Sequence, residues 1–219
     1  MDSNSTAQNE MATHQSIFVI GMRGTGKTTM GKWLAELLSW TFVDLDEMIG
    51  EQNGLKSAEL IRRFGWDKFR PLEIAALKET MRTKARSHVI SCGGGIVETE
   101  EARTLLKEWH ATGTVLLVHR DMQQVVEYLR ADKTRHEFPQ DIQEIYERRK
   151  PWFEECSNLS YLSPRSHHGD GIPQHFEHFV RGIKRRALEE GRAISSEQSE
   201  SSPSSQPPTP PIDCLTVEI

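Results

Sequence analysis

Three groups of residues have the types and spacing needed to move a phosphoryl group. The first is Gly21-Met22-Arg23-Gly24-Thr25-Gly26-Lys27-Thr28, with Thr29 beside it. Glycines let a backbone wrap an anion with its N–H groups, a lysine neutralises β- and γ-phosphate oxygens, and a hydroxyl ligates Mg²⁺. The second is the acid pair Asp44 and Asp46 at the end of an apolar run. Asp44 reads as a water-mediated Mg²⁺ ligand and Asp46 as the acceptor for a substrate hydroxyl. A helix N-cap near Asp46 is the competing reading, since aspartate is a preferred cap. The third is Gly93-Gly94-Gly95, where a ligand can lie against bare backbone or the chain simply turns tightly.

The flanking elements favour the first group. Ile17-Phe18-Val19-Ile20 reads as a buried strand, and Met30, Leu34, Leu37 and Leu38 recur at helical spacing. A strand, a glycine loop and a helix N-terminus in that order predict a bound nucleoside triphosphate.

Further along, short apolar runs alternate with helical segments, the pattern of an α/β fold with a parallel sheet. Thr41–Asp44, His88–Ser91, Thr114–Val118 and Leu159–Leu162 read as strands. Two helices span about Ala58 to Thr83 with a break near Gly65, and others cover Glu98–Trp109, Met122–Leu129 and Ile142–Lys150. A polar stretch, Arg130 to Gln140, follows the second of these. In the last helix Ile172, Phe176, Phe179, Val180 and Ile183 share one face, and Gly191 is a stop. In open parallel sheets ligands sit beyond the carboxyl ends of the strands. The phosphate loop, Asp44 and the glycine triplet all fall at such ends, so one cleft can hold them.

The 219 residues allow one ordinary domain. Residues 1–15 are a polar lead without an apolar core, and residues 191–219 hold five of the ten prolines, so both ends are expected to be disordered. The folded domain is expected over residues 16–190. No run approaches the length of a membrane span. A formal charge of −5 without a dominant basic face argues against a nucleic-acid partner. The cluster Arg181, Lys184, Arg185 and Arg186 reads as a solvated helix end. Cys92, Cys156 and Cys214 have the spacing of neither a disulfide framework nor a zinc site, which fits reduced thiols in the cytoplasm.

Taken in order, the phosphate loop, Val43-Asp44-Leu45-Asp46, Phe69-Arg70-x-x-Glu73, Cys92-Gly93-Gly94-Gly95-Ile96-Val97-Glu98 and Arg149-Lys150-Pro151-Trp152-Phe153 resemble shikimate kinase. Asp132-Lys133-Thr134-Arg135 and residues 148–158 look especially like the kinase domain of the fungal pentafunctional arom polypeptide. The resemblance covers about residues 16–161. It implies a P-loop, nucleoside-monophosphate-kinase-like fold with a five-stranded parallel sheet and helices on both faces. It also implies Mg²⁺ and ATP as cofactors and phosphorylation of the 3-hydroxyl of shikimate. A monomer is expected. Carried over by position, Asp46 holds the reacting hydroxyl, Arg70 and Arg149 clamp the substrate carboxylate, Gly93, Gly94 and Gly95 line the ring, and Arg135 closes as a lid.

Two departures stand out. The arom lid usually reads Thr-Arg-Pro-Ala-Tyr, whereas this chain has Thr134-Arg135-His136-Glu137-Phe138, with a carboxylate near Arg135. Phe153 stands where the family commonly has tyrosine, removing a hydroxyl beside the clamp. The terminal Cys214-Leu215-Thr216-Val217-Glu218-Ile219 weakly resembles the opening of a dehydroquinase-like domain. A second reading is therefore the kinase-like front of a quinate-pathway repressor, which would sense shikimate-like ligands and bind a protein partner. A gluconate-type kinase is disfavoured by the Arg70 and Arg149 pair, which suits a cyclic acid.

Overall fold

The computed structural model describes residues 15–131, 142–164 and 171–185. The polar lead before residue 15, Arg135 and its neighbours, Gly191, Cys214 and the proline-rich tail lie outside the described residues.

Helices on both faces bury the central strands, so a four-residue apolar run suffices to make one. Strand β1 (Ile17–Ile20) is buried at all four residues. It lies between β3 (His88–Ser91) and β4 (Thr114–His119), with β2 (Thr41–Asp44) outside β3 and β5 (Leu159–Leu162) outside β4. Every pairing is parallel: Asp44 is level with Ser91, Val19 with both Ser91 and Leu116, and His119 with Leu162. The sheet is the five-stranded parallel one expected. Its register brings the carboxyl ends of all five strands to one edge.

Helix α1 (Lys27–Leu38) follows β1, and α2 (Leu45–Asn53) follows β2. Next come α3 (Ser57–Phe64) and α4 (Trp66–Thr83), separated at Gly65 as expected. Gly65 has φ 79°, a left-handed value that glycine tolerates. After β3 a 3₁₀ turn (Ile96–Glu98) leads into α5 (Glu100–His110). Glu98 is therefore in the turn, and the expected start of that helix moves two residues on. Helix α6 (Met122–Ala131) follows β4, and α7 (Ile142–Cys156) precedes β5. The final helix, α8, spans residues 174–185.

Two apolar clusters cover the two faces of the sheet. One joins Phe18, Ile20, Leu45, Ile90 and Leu117 to α4, α5 and α7. The other packs Val19, Val89 and Val118 against α1 and α8, where Phe176 and Val180 are buried and Phe179 and Ile183 partly so. The apolar face read for the last helix is the one that packs.

Helix α7 runs past Lys150, where the sequence reading ended it, and carries Pro151 in its interior. Ile145, Arg149, Phe153 and Cys156 are buried at helical spacing. That buried stripe outweighs the one backbone hydrogen bond that proline removes. Phe153, read as a hydroxyl lost beside the clamp, is instead a core ring at 2% exposure. Cys92 and Cys156 are buried free thiols. Among the described residues no helix is long and apolar enough to cross a membrane.

Candidate active site

Three glycines with left-handed φ shape the loop after β1: Gly21 at 143°, Gly24 at 86° and Gly26 at 95°. A Cβ on Gly21 would strike the Val118 carbonyl, so β4 forces glycine where the loop opens. Gly26 is the N-cap of α1 and supplies no side-chain cap. The first-turn N–H groups of α1 therefore face the loop, as an anion site requires.

Met22 organises the loop interior. Its carbonyl accepts from Thr25 Oγ1 at 2.8 Å and from Lys27 Nζ at 2.9 Å, and Thr25 N–H donates to it at 3.3 Å. Lys27 is only 8% exposed. Its ammonium is thus folded over the loop, within reach of what the loop would hold.

Asp44 ties the loop to β2. Its Oδ2 accepts from Thr28 Oγ1 at 3.2 Å, and its Oδ1 accepts from the Asp46 and Glu47 N–H groups at 3.0 and 3.4 Å. Asp44 is therefore the N-cap of α2. The cap expected near Asp46 is thus made two residues earlier, and Asp46 lies in the first turn of the helix. Ser57 Oγ also donates to the Asp46 carbonyl, so the backbone there is held from both sides.

The glycine triplet is where the groups converge. A Cβ on Gly93 would lie 2.6 Å from Glu73 Oε1 and 3.0 Å from Asp46 Oδ1. On Gly94 it would lie 2.8 Å from Arg23 N in the phosphate loop, and on Gly95 2.5 Å from Arg70 Nη2. The triplet is thus wedged between the acid, the loop and the arginine, with backbone against it only at Gly94.

Both arginines are held by internal carboxylates. Arg70 Nη1 donates to Glu73 Oε2 at 2.6 Å, and the Trp66 ring lies 4.5 Å from its guanidinium carbon. Arg149 Nε donates to Glu98 Oε1 at 2.6 Å, and its Nη1 donates to the Gly94 carbonyl at 2.9 Å and lies 3.7 Å from Met22 Sδ. Arg149 Nη2 makes no hydrogen bond among the described residues, so a carboxylate there would meet one edge of a guanidinium already fixed. Arg148 shares the same Glu98 oxygen at 2.7 Å.

Burial shapes the charges. It pushes the Glu73 carboxyl above the usual glutamate range, against the pull of Arg70. Burial also opposes ionisation of Glu98, but hydrogen bonds from Arg148 and Arg149 outweigh it and hold its carboxyl low. Arg149 is pushed down by burial, with Glu98 opposing. Cys92 lies beneath these groups, and burial pushes its thiol well up, which leaves it inert.

Lys27, Thr28, Asp44, Asp46, Arg70, Gly93, Gly94, Gly95 and Arg149 are therefore gathered at the carboxyl edge of the sheet. Arg135 lies outside the described residues. Sequence reasoning gave no role to Glu73, Glu98 or Arg120. Glu73 could have been found from its i+3 spacing to Arg70 on one helix. Glu98 pairs across 51 positions and left no such signal.

The model of a family described as "Shikimate kinase" matches residues 23–184. The chain belongs to the shikimate kinase family. Solved structures of shikimate kinases share its fold. The enzyme from Acinetobacter baumannii, in complex with shikimate, is 23% identical with a TM-score of 0.67, covering 84% of this chain and 98% of that one. The enzyme from Aquifex aeolicus is 26% identical with a TM-score of 0.62, covering 82% and 98%. That from Bacteroides thetaiotaomicron is 24% identical with a TM-score of 0.62, covering 80% and 98%.

Proposed function

We propose that this chain transfers the γ-phosphoryl group of ATP to the 3-hydroxyl of shikimate. Family membership supports the reaction. The observation that carries it to these residues is the contact of Gly94 with Arg23, where the acid-and-arginine pocket abuts the phosphate loop. A hydroxyl held beside Asp46 would then face the terminal phosphate in line.

In this reading the loop from Gly21 through Gly24 and Gly26 turns its N–H groups to the phosphates, Thr25 braces the loop by donating its own N–H to the Met22 carbonyl, and Thr28 and Thr29 stand at the start of α1. Lys27 neutralises the charge that builds on the transferring group. The Thr28 and Asp44 oxygens are hard donors that fit Mg²⁺, which takes few protein ligands and completes its shell with water and phosphate. Bound there, Mg²⁺ would draw charge from the phosphate oxygens. Arg70 and Arg149 take the carboxylate of shikimate, and the triplet packs against its ring. Asp46 accepts the hydrogen bond of the 3-hydroxyl and orients its lone pair. As the new O–P bond forms, the β–γ bridging oxygen leaves with ADP and the hydroxyl proton passes to Asp46 or to water. A loose transition state makes Asp46 valuable for position more than for basicity.

Arg135 would close over the phosphates from its segment between α6 and α7. The arom-type branch is the finer assignment, resting on Asp132–Arg135 and on residues 148–158. A monomer in the cytoplasm is the simplest setting for it. The repressor-like sensing reading draws no support from the family match.

The test is a coupled assay of ADP release with shikimate and Mg-ATP. Shikimate-dependent ADP release, lost in Lys27→Ala, is expected. Absence of ADP release from folded protein that still binds both ligands would refute the reading.

A further inference from the structure

Arg120 belongs to none of the five motifs, yet it reaches the apex of the phosphate loop. It follows the last residue of β4, and its Nη1 donates to the Gly24 carbonyl at 3.3 Å while its Nη2 donates to Ser163 Oγ at 3.3 Å. Ser163 is 2% exposed, follows β5, and donates its N–H to the His119 carbonyl at 2.7 Å. Its Oγ lies 3.7 Å from where a Cβ on Gly26 would stand. One guanidinium thus fastens the loop to the ends of two strands.

The bond to Gly24 has a specific consequence for the loop. In a trans peptide the C=O and N–H point to opposite sides. The Gly24 carbonyl is held by Arg120, and the Thr25 N–H of the same peptide is held by the Met22 carbonyl at 3.3 Å. Both ends of that peptide plane are therefore anchored, although Gly24 itself sits at φ 86° with a wide choice of conformations. Fixing this plane fixes where the following N–H groups of the loop point.

Arg120 gains little for itself by this. Its Nε is buried without a hydrogen-bond partner among the described residues, a costly state for a charged donor. The donor is left unpaired by a side chain whose other two nitrogens span Gly24 and Ser163.

We infer that Arg120 is a positioning residue of the nucleotide site, locking the Gly24–Thr25 peptide so that the loop is organised before ATP arrives. This rests on the reading of residues 21–28 as the ATP cradle. Preorganisation of this kind acts on ATP affinity and leaves the arginine-lined pocket alone.

The experiment is steady-state kinetics and ATP calorimetry on Arg120→Met, Arg120→Lys, Ser163→Ala and Lys27→Ala in the full chain. Arg120→Met should raise KM and Kd for ATP by about tenfold, the loss expected for a charge-assisted bond. The KM for shikimate should move by less than about twofold. Arg120→Lys should recover part of the loss, and Ser163→Ala should shift ATP in the same direction by less. Unchanged ATP constants in folded Arg120→Met overturn the inference. So does an equal rise in both substrate constants with a fall in Tm, which marks a merely structural residue. If Arg120→Met does not fold, Ser163→Ala decides by the same criterion. ATP affinity surviving in Lys27→Ala would instead remove the cradle reading on which the inference stands.

Discussion

Arg149 and Glu98 form an internal ion pair at 2.6 Å, with Arg149 only 5% exposed. The arginine proposed to meet the substrate carboxylate is thus aimed by a carboxylate of the protein itself. Arg148 bonds the same oxygen from solvent and adds positive charge to the pair.

Removing Glu98 leaves a buried guanidinium uncompensated. Glu98→Ala should cost about 3 kcal/mol of stability, as breaking one side of a buried pair does. It should also raise the KM for shikimate by about tenfold or more through loss of aim. Urea unfolding and kinetics measure the two effects separately, and wild-type values for both would sink the positioning role of Glu98.

The glycine triplet predicts unequal effects for equal changes. Gly94→Ala drives a methyl onto the Arg23 backbone, which cannot swing aside, so the phosphate loop must shift. The KM for ATP and that for shikimate should both rise, with about 1–3 kcal/mol of overpacking cost. Gly95→Ala meets only the far end of the Arg70 side chain. Its effect should fall on shikimate alone. Equal ATP defects in the two variants would contradict the different neighbours of Gly94 and Gly95.

Glu73 gives a pH prediction with a definite sign. Burial raises its pKa above the ordinary value of 4.5, so the fold binds its proton more tightly than the unfolded chain does. Its stabilising share is fully present below the unfolded value and is lost as pH rises through the raised folded value. Wild type should therefore lose stability relative to Glu73→Gln as pH climbs from about 4.5 toward neutrality. A gap between the two proteins that stays constant over that range would disprove the shift.

The strands and the glycine loops could be read from the chain because their signals are local. Ile17–Ile20 is an unbroken apolar run, and the spacing Gly21, Gly24, Gly26 encodes left-handed turns that few other residues make. Helix Leu45–Asn53 carries no clear periodic signal, because its nine residues hold only Leu45, Met48 and Ile49 as apolar anchors. What marks it is the cap at Asp44 and Gly54 at φ 67°, seen only once the backbone is known. Pro151 misled the reading of α7, since a helix-breaking residue hides the buried stripe on both sides of it. The long-range pairs were invisible for a different reason. Glu98 with Arg149, and Arg120 with Gly24, join residues brought together by sheet order, and no periodicity records that order.

The most direct test is shikimate-dependent ADP release by wild type, Lys27→Ala and Asp46→Asn, with shikimate binding followed in parallel. Turnover in wild type that falls by about 100-fold or more in each variant, while Lys27→Ala still binds shikimate, is the expected result. Turnover that survives in both variants would contradict a shared crevice for the phosphoryl donor and the acid.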